Sequence, residues 1–247
     1  MKTNTYLTPP ETDAMGNAIA DYARTGKAAK LIVTSTMLDD DEMPVDLLFR
    51  GFADMPAIEQ EALRLAQGKI LDVGAGSGCH ALALQEMGKD VCAIDISILS
   101  VEVMRERGVR NARAINLFDE RLCDRFDTII LLMNGAGMMQ RLENMPQFFM
   151  RMRQLLAPGG KIYMDSSDLI YLYENEDGSY DIDLNGDYYG QVDFAMQYKN
   201  IKGEPFDWIY IDFDTLCVHA EANGFECRMV MEGEHYDYLA ELQLRQQ

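Results

Sequence analysis

The sequence predicts an α/β fold in which helices cover both faces of a mostly parallel sheet. Between Lys69 and Asp165, short apolar runs alternate with amphipathic segments, which is the pattern that βαβ units and a parallel sheet require. The run from Phe126 to Met133 is mostly apolar, as expected of a central strand that is buried on both faces. We therefore expect a doubly wound sheet whose ligand site lies beyond the carboxyl ends of its strands.

The residues before the sheet predict a helical N-terminal segment. Gly26 and Gly68 stand just past the ends of two amphipathic stretches, where glycine typically ends a helix. We interpret residues 1–68 as a helical lid and residues 69–247 as the domain that carries the sheet. The predicted helices are Asp13–Arg24, one near Val45–Phe49, and Pro56–Gln67.

The central region predicts five strands separated by helices. Each strand is a short apolar run bounded by turn residues. Ser77, Ser97 and Asn144 are expected to cap the three helices between them, because Ser and Asn are favoured at that position, and Gly88 and Gly108 are expected to end two of these helices. The predicted strands are residues 70–73, 91–94, 112–115, 126–133 and 161–164.

Residues 168–212 predict an inserted antiparallel β flap. Tyr, Phe and Trp are dense there, and Asn185-Gly186 stands between alternating segments, which is a strong hairpin signal. Its aromatic side chains are candidates for the wall of a substrate pocket, but aromatic pairs also hold small sheets together, and we interpret most of them as packing residues. These side chains are Tyr188, Tyr189, Tyr198, Trp208 and Tyr210. The elements expected after the flap are a helix capped by Asp212 or Asp214 and stopped by Gly224, and strands at 227–232 and 236–244 that complete the sheet.

The charge balance argues against a nucleic-acid partner. The chain has 22 basic and 41 acidic residues among 247, which gives a formal net charge of −19. Proteins that bind nucleic acids neutralise phosphates with clustered Lys and Arg. A small molecule is therefore the expected partner.

The cysteines and the apolar runs point to a cytoplasmic protein. The five cysteines are scattered, without a C-x-x-C pair or histidine partners at zinc spacing, so neither a disulfide framework nor a metal site is expected. No stretch approaches the roughly 18 uninterrupted apolar residues of a spanning helix. The first residues do not form an apolar signal core, and we expect no membrane contact.

A glycine-rich loop follows the first strand of the predicted sheet. Gly74, Gly76 and Gly78 stand in G-x-G-x-G spacing after Asp72, and glycine lets a backbone approach a ligand because it lacks Cβ and accepts positive φ. Asp95 ends the next strand, about 20 residues from the loop, where a carboxylate reaches ribose hydroxyls. The spacing differs from the G-x-G-x-x-G of dinucleotide sites.

Four segments along the chain form an ordered set of motifs. They are Ile70-Leu71-Asp72-Val73-Gly74-Ala75-Gly76-Ser77-Gly78, Ala93-Ile94-Asp95-Ile96-Ser97, Phe126-Asp127-Thr128-Ile129 and Leu155-Leu156-Ala157-Pro158-Gly159-Gly160. In this order they resemble the motifs of the class I, Rossmann-like methyltransferases that depend on S-adenosylmethionine (SAM). The resemblance covers about residues 69–165, with return elements near 212–244. It implies a seven-stranded sheet with an antiparallel last strand, SAM as cofactor and S-adenosylhomocysteine (SAH) as its product.

The resemblance also implies roles in binding the donor. The backbone of the glycine loop, with Asp72 and Ala75, is expected around the methionine part of SAM. Asp95 is expected on the ribose, because a carboxylate accepts two hydroxyl hydrogens at once. These residues form the expected donor half of the site.

The resemblance also implies which residues lie on the adenine and acceptor sides of the site. Ile96 is expected against the adenine ring, with Asn116 and Leu117 at its edge. Many family members have an acidic residue where this chain has Asn116, whose side-chain oxygen still accepts a hydrogen bond from the adenine amino group. Asn134 ends the fourth strand, where family members position the substrate or the SAM amino group, and it is not part of an N-P-P-Y motif.

Three residues outside these motifs are candidates for binding or catalysis. Arg50 is a candidate for the SAM carboxylate, since the guanidinium fork matches a carboxylate, and a surface arginine is the open alternative. His80 faces SAM or a substrate, or is a packing residue. Asp165 is a candidate general base, or a cap and turn residue.

Methyl transfer from SAM to an N, O or C nucleophile of a small molecule is the function we predict. SAM carries the reactive group, so the protein must mainly align donor and acceptor and exclude water. Two alternatives stay open, namely an NAD-dependent oxidoreductase on a related fold and a SAM-binding protein without catalysis.

Overall fold

The computed structural model describes residues 6–183 and 185–245. Within these residues it contains twelve strands and six α-helices, joined by turns and short 3₁₀ segments. The strands are β1 (Leu31–Thr34), β2 (Asp41–Met43), β3 (Lys69–Val73), β4 (Asp90–Asp95), β5 (Ala112–Ala114), β6 (Phe126–Leu131), β7 (Leu156–Ser167), β8 (Gln191–Tyr198), β9 (Ile201–Lys202), β10 (Phe206–Ile209), β11 (Phe225–Glu232) and β12 (Asp237–Leu244). The helices are α1 (Ala14–Thr25), α2 (Ala57–Leu65), α3 (Cys79–Glu86), α4 (Ile98–Glu106), α5 (Met145–Leu155) and α6 (Phe213–Ala222).

Seven strands form the main sheet in the order β11-β12-β7-β6-β3-β4-β5. The five strands from β7 to β5 in that order run parallel to one another, and β12 runs antiparallel to both β7 and β11. The predicted seven-stranded, mostly parallel sheet with an antiparallel last strand is therefore confirmed. Because β3 lies between β4 and β6, the strand order reverses there, and such sheets bind ligands beyond the carboxyl ends at that point.

Helices pack on both faces of the main sheet because successive strand residues point to opposite sides. In β3, Leu71 belongs to the apolar cluster that contains residues of α5 and α6, whereas Ile70 belongs to the cluster that contains residues of α2, α3 and α4. Ile129 and Ile130 of β6 divide in the same way. The doubly wound arrangement is therefore also confirmed.

The inserted segment forms an antiparallel sheet that it shares with N-terminal residues. The order is β10-β8-β1-β2, with β9 also paired to β8, and Leu31 of β1 pairs with Tyr198 of β8 on one side and Met43 of β2 on the other. The first 68 residues are thus not wholly helical, which corrects the expectation from sequence. β1 has only four residues, which is too short for an alternating pattern to stand out, and its partner β8 is remote in the chain.

Two local predictions are wrong. Asn185-Gly186 forms a turn that has no strand beside it in the described part of the insertion, and the chain reverses between β8 and β9 at Lys199, where φ is +55°. Ser77 does not cap α3, because Gly78 occupies that position and the Ser77 hydroxyl donates to the carbonyl of Leu48. A remote acceptor competes for this hydroxyl, and a local pattern does not reveal it.

Other helix boundaries follow the prediction. Ser97 accepts the N–H of Ser100 at 2.9 Å, and Asp212 accepts that of Thr215 at 2.9 Å. Asn144 stands at the start of α5, but its side chain makes no capping bond. Across residues 6–183 and 185–245, the helices are too short or too polar to cross a membrane.

Candidate functional site

The glycine loop lies at the carboxyl end of β3. Gly74, Gly76 and Gly78 have φ angles of +70°, +56° and +85°, which glycine adopts without strain. A Cβ added at Gly76 would meet no atom within 4 Å, whereas one at Gly78 would lie 2.9 Å from side-chain atoms of Met104 and Val109. Gly76 therefore borders open space, and Gly78 allows the loop to pack closely on α4 and the residues after it.

Asp95, at the end of β4, lies beside this loop. Its Oδ2 accepts the N–H of Gly76 at 2.8 Å, and its Oδ1 accepts the N–H of Ser97 at 2.8 Å. Burial raises the pKa of Asp95 to about 6, so the carboxylate is ionised at pH 7. Each carboxylate oxygen accepts more than one hydrogen bond, and both retain capacity for hydroxyl donors.

Three further predicted residues lie at the ends of β4 and β5. The side chain of Ile96 is 43% exposed, whereas Leu117 is buried in the core. The side-chain oxygen of Asn116 accepts the N–H of Phe118 at 2.9 Å. Ile96 is thus accessible to a ligand, while Asn116 and Leu117 shape the loop that follows β5.

A buried arginine that the sequence did not single out organises the same loop. Arg151 of α5 donates to the backbone carbonyls of Leu117 at 2.6 Å, Asp119 at 2.8 Å and Leu122 at 2.7 Å. Carbonyl acceptors satisfy this guanidinium in place of a carboxylate. The pattern of α5 gives no signal for it, because an arginine in an amphipathic helix usually faces water.

Asp72 of β3 is almost fully buried below the glycine loop. Its carboxylate accepts the backbone N–H of Ala81, and burial raises its pKa to about 6. Its Oδ2 has no hydrogen-bond partner. A buried acceptor without a partner is uncommon in native proteins and calls for an explanation such as a ligand.

Arg50, Glu59 and His80 form a buried ionic network. Arg50 Nη2 donates to both carboxylate oxygens of Glu59, and Arg50 Nη1 donates to the carbonyl of Leu47. His80 Nε2 lies 2.8 Å from Glu59 Oε2. Although burial opposes both changes, this contact lowers the pKa of Glu59 and raises that of His80, so the pair favours its ionised form.

Arg50 Nε, like Asp72 Oδ2, is buried and has no hydrogen-bond partner. In the described part of the chain, these two are the buried side-chain atoms without partners, and one is a donor while the other is an acceptor. Both residues act electrostatically on the thiol of Cys79, the first residue of α3. They therefore lie around the start of that helix, next to the glycine loop.

Asp165, near the end of β7, is bonded to the loop that follows β6. Its Oδ2 accepts the N–H of Met133 at 3.0 Å and its Oδ1 accepts the N–H of Gly135 at 2.8 Å. The side-chain oxygen of Asn134 accepts the hydroxyl of Ser166 at 3.0 Å. Burial raises the pKa of Asp165 to about 6. Asp165 and Asn134 are thus brought together at the carboxyl end of the sheet.

A cleft of about 540 Å³ opens between the inserted segment and residues outside it, namely Thr36, Met37 and Arg141. Arg141, Tyr188, Tyr189 and Asp207 are among the residues that line it. None of its lining residues, within the described ranges, belongs to the glycine loop or to the end of β4. The cleft and the glycine-loop site are therefore formed by different residues.

The chain is similar to known proteins over the region that contains the glycine loop. A family model described as a methyltransferase domain matches residues 70–160, which include the glycine loop, Asp95 and Asn134. The crystal structure of a SAM-dependent methyltransferase from Bacteroides fragilis, in complex with SAH, has 60% sequence identity and a TM-score of 0.93. The alignment covers 98% of this chain and 99% of that one.

More distant relatives are similar in part or in fold. The ubiquinone biosynthesis O-methyltransferase of Xanthomonas oryzae pv. oryzae is 28% identical over 107 residues, which are 42% of this chain and 45% of that protein. The chain thus spans less than half the length of the curated relatives it matches. The CcbJ methyltransferase of Streptomyces caelestis is 17% identical over 96% of this chain and 99% of that one, with a TM-score of 0.60, a likeness of fold alone.

Proposed function

This chain belongs to the SAM-dependent methyltransferases, and on that premise we propose that it transfers the methyl group of SAM to an N, O or C atom of a small molecule. SAM is the cofactor, and family membership removes the nicotinamide-dependent alternative. The donor site that we propose lies at the carboxyl ends of β3 and β4. The observation that supports it most is the presence there of the two buried, unpartnered atoms Arg50 Nε and Asp72 Oδ2.

These two atoms fit the amino-acid end of SAM. That end carries a carboxylate, which needs a donor, and an ammonium, which needs an acceptor. We assign the carboxylate to Arg50 Nε and the ammonium to Asp72 Oδ2. Glu59 already accepts hydrogen bonds from Nη2 of the guanidinium. The arginine is therefore oriented before the donor binds, and little side-chain entropy is lost on binding.

The nucleoside end of SAM fits the other half of the loop. We assign the ribose hydroxyls to Asp95, whose oxygens retain acceptor capacity beyond the backbone N–H groups that they accept. The open space beside Gly76 accommodates the link between methionine and ribose, with Gly74 and Ala75 supplying backbone. Ile96 is the exposed apolar surface for the adenine ring, and the loop at Asn116 and Leu117 forms its edge.

The N-terminal residues form a lid in this proposal. Thr8 donates its backbone N–H to the carbonyl of Ile96 at 2.9 Å, and the hydroxyl of Ser97 donates to the carboxylate of Asp13. Both contacts tie the segment before α1 to the end of β4, beside the assigned adenine surface. We therefore propose that residues 6–68 cover the nucleoside while residues 69–245 carry the sheet.

When bound, SAM supplies a methyl group on a sulfonium, which is the reactive part of the chemistry. The residues of the chain bind and orient the donor and exclude water from it. Both oxygens of Asp165 already accept backbone N–H groups, and His80 is bonded to Glu59. We therefore assign positioning roles to Asp165 and His80 in place of the proton transfers considered from sequence.

The acceptor class rests on charge. With a net charge of −19, the protein repels the phosphates of nucleic acids, which supports a small molecule as the acceptor.

Calorimetry and a fractionated extract test this proposal. The purified protein is titrated with SAM and with SAH, and is then incubated with methyl-labelled SAM and either the low-molecular-weight or the macromolecular fraction of a cell extract. We expect binding of both nucleosides, and SAH formation with the small-molecule fraction. Failure to bind SAM would refute the donor site. Label found only in protein or nucleic acid would refute the proposed acceptor class. Tight SAM binding with no SAH formed in either fraction would favour a SAM-binding protein without catalysis.

A further inference from the structure

Two consecutive residues after β6 adopt the left-handed conformation although neither is glycine. Met133 has a φ of +65° and Asn134 a φ of +58°. This conformation is unfavourable for L-residues with a Cβ, and for an unbranched residue such as Met it needs compensation from the surrounding structure. The compensation comes from Asp165, whose two oxygens accept the N–H groups on either side of Asn134.

Ser166 adds a second tie to the same turn. Its hydroxyl donates to Asn134 Oδ1 at 3.0 Å and accepts the N–H of Ile211 at 2.9 Å. Asn134 Nδ2 is 3.4 Å from the carbonyl of Ile209. The end of β7 therefore holds the turn and also connects it to the segment after β10.

The 3₁₀ segment Gly135–Met139 begins at this turn and separates two sides of the site. On one side, a Cβ added at Gly74 of the glycine loop would lie 2.5 Å from Met138 Cε. On the other side, a Cβ added at Gly137 would lie 1.9 Å from Cε2 of Trp208. The segment is thus in contact with the proposed donor site through Met138 and with β10 through the indole ring.

We infer that Asp165 is a positioning residue that fixes the wall formed by Gly135–Met139 and Trp208, by holding the left-handed turn at Met133 and Asn134. The inference rests on the proposed donor site at the glycine loop, which defines one side of this wall. The other side is then where the acceptor approaches. Asp165 acts through the backbone that it holds and contacts neither substrate.

A glycine substitution separates this role from that of a general base. Asp165→Asn keeps the shape of the side chain but leaves one oxygen acceptor. Its amide NH₂ group faces the other backbone N–H, so one of the two hydrogen bonds is lost. Met133→Gly removes the cost of positive φ, so the turn no longer needs both hydrogen bonds. If Asp165 positions the wall, Met133→Gly rescues the Asp165→Asn variant, whereas no backbone change replaces a missing base.

Trp208 is the single tryptophan of the chain, so its fluorescence reports on the wall directly. Acrylamide quenching of Trp208 is measured in the wild type, in Asp165→Asn, in Met133→Gly and in the double variant. Loss of one charge-assisted hydrogen bond is expected to raise, about tenfold or more, the fraction of molecules in which Trp208 is not packed against Gly137. The quenching constant is then expected to be higher. The double variant is expected to return to the wild-type value.

Asp127→Asn is the matched control. The carboxylate of Asp127 also accepts a backbone N–H, that of Lys69 at 2.8 Å, but at the opposite end of β6. Its removal is expected to leave Trp208 unchanged. Unchanged quenching in Asp165→Asn, or quenching that stays high in the double variant, overturns the inference.

The double variant keeps the test decisive if Asp165→Asn does not fold by itself. A double variant that folds and has the wild-type quenching constant then supports the inference, because the turn no longer needs both hydrogen bonds once Met133 is glycine. A double variant that does not fold either overturns the inference. Calorimetry with SAH on the wild type is run in parallel, and failure to bind there contradicts the proposed function alone.

Discussion

Arg50 and Glu59 form an ion pair inside the protein, with only 8% and 6% of their side chains exposed. Breaking such a pair from one side leaves a buried charge without a partner, which is costly. Glu59 occupies Nη2 of the guanidinium and leaves Nε for a further acceptor. The pair thus presents a preformed donor to the carboxylate that we assign to it.

Replacement of Arg50 should weaken binding of the amino-acid end of the donor. Arg50→Lys keeps the charge but loses the fork, and loss of a hydrogen bond to a charged group costs about 1.5–3 kcal/mol, or roughly 10–100-fold in Kd. Calorimetry with SAH should show this loss, while 5′-methylthioadenosine, which lacks the amino-acid end, should bind as before. Arg24→Lys, at a residue 71% exposed, is the control, and an unchanged SAH Kd in Arg50→Lys would contradict the assignment.

Glu59 should affect the same end of the donor through Arg50. Glu59→Gln removes the charge that holds Arg50 and His80, and we expect a loss of about 3–5 kcal/mol in the free energy of unfolding. A purely structural role would weaken SAH and 5′-methylthioadenosine alike. A positioning role would weaken the binding of SAH more strongly than that of 5′-methylthioadenosine. Glu61→Gln is the control, because the carboxylate of Glu61 pairs with Arg64 at the surface, and it should change the affinity for neither ligand.

Asp95 should act on the nucleoside end. Asp95→Asn leaves one acceptor oxygen for the backbone and the ribose together, so Kd should rise roughly 10–100-fold for both SAH and 5′-methylthioadenosine. Asp90 lies at the exposed start of the same strand, and the control variant Asp90→Asn should bind SAH and 5′-methylthioadenosine as the wild type does. Equal affinities of Asp95→Asn and the wild type would remove Asp95 from the site.

Gly76 and Gly88 form a matched pair for testing the space beside the loop. Both have positive φ, and a Cβ at either would meet no atom within 4 Å, so alanine at each position should cost a similar free energy of unfolding, on the order of 1 kcal/mol. Only Gly76→Ala should weaken SAH, by about tenfold or more, because its methyl group enters the space assigned to the donor. Similar SAH affinities of the two variants would refute that assignment.

Stability and donor affinity should change in opposite directions with pH. The pKa values of Asp72, Asp95 and Asp165 are each raised to about 6 by burial, above the roughly 3.9 of an unfolded chain. Between about pH 4 and 6 the folded protein therefore binds more protons than the unfolded one, and stability rises as the pH falls from 7 to 5, by on the order of 1 kcal/mol for each group.

SAH affinity should fall over the same interval, since a protonated Asp95 has less acceptor capacity for the ribose. The raised pKa of His80 adds stability in the same direction as the carboxyl groups, because this contribution is complete below its unfolded pKa and is lost as the pH rises. Urea unfolding and SAH calorimetry near pH 7 and near pH 5 measure both trends. Stability of the ligand-free protein that decreases on acidification to about pH 5 would contradict the buried state of these groups.

The donor loop and the main sheet could be predicted because their signals are local. The glycines at 74, 76 and 78 adopt positive φ within a few residues of their strand, and β3 and β6 are mostly apolar runs because helices cover both faces of the sheet. The small sheet could not be predicted in full. β1 takes its partner from β8, and no local pattern in a four-residue strand identifies that partner.

Sequence patterns alone indicate the α/β class, the strand-loop-helix at Gly74 to Gly78, the place of Asp95 after β4 and the resemblance to the SAM-dependent methyltransferases. The hydrogen-bond partners of Arg50, His80 and Asp165 are known only from the tertiary structure. Their hydrogen-bond partners Glu59, Met133 and Gly135 belong to other segments of the chain. A buried charge is stable only with the partner that the fold brings to it, so the role of such a residue is set by its neighbours in space.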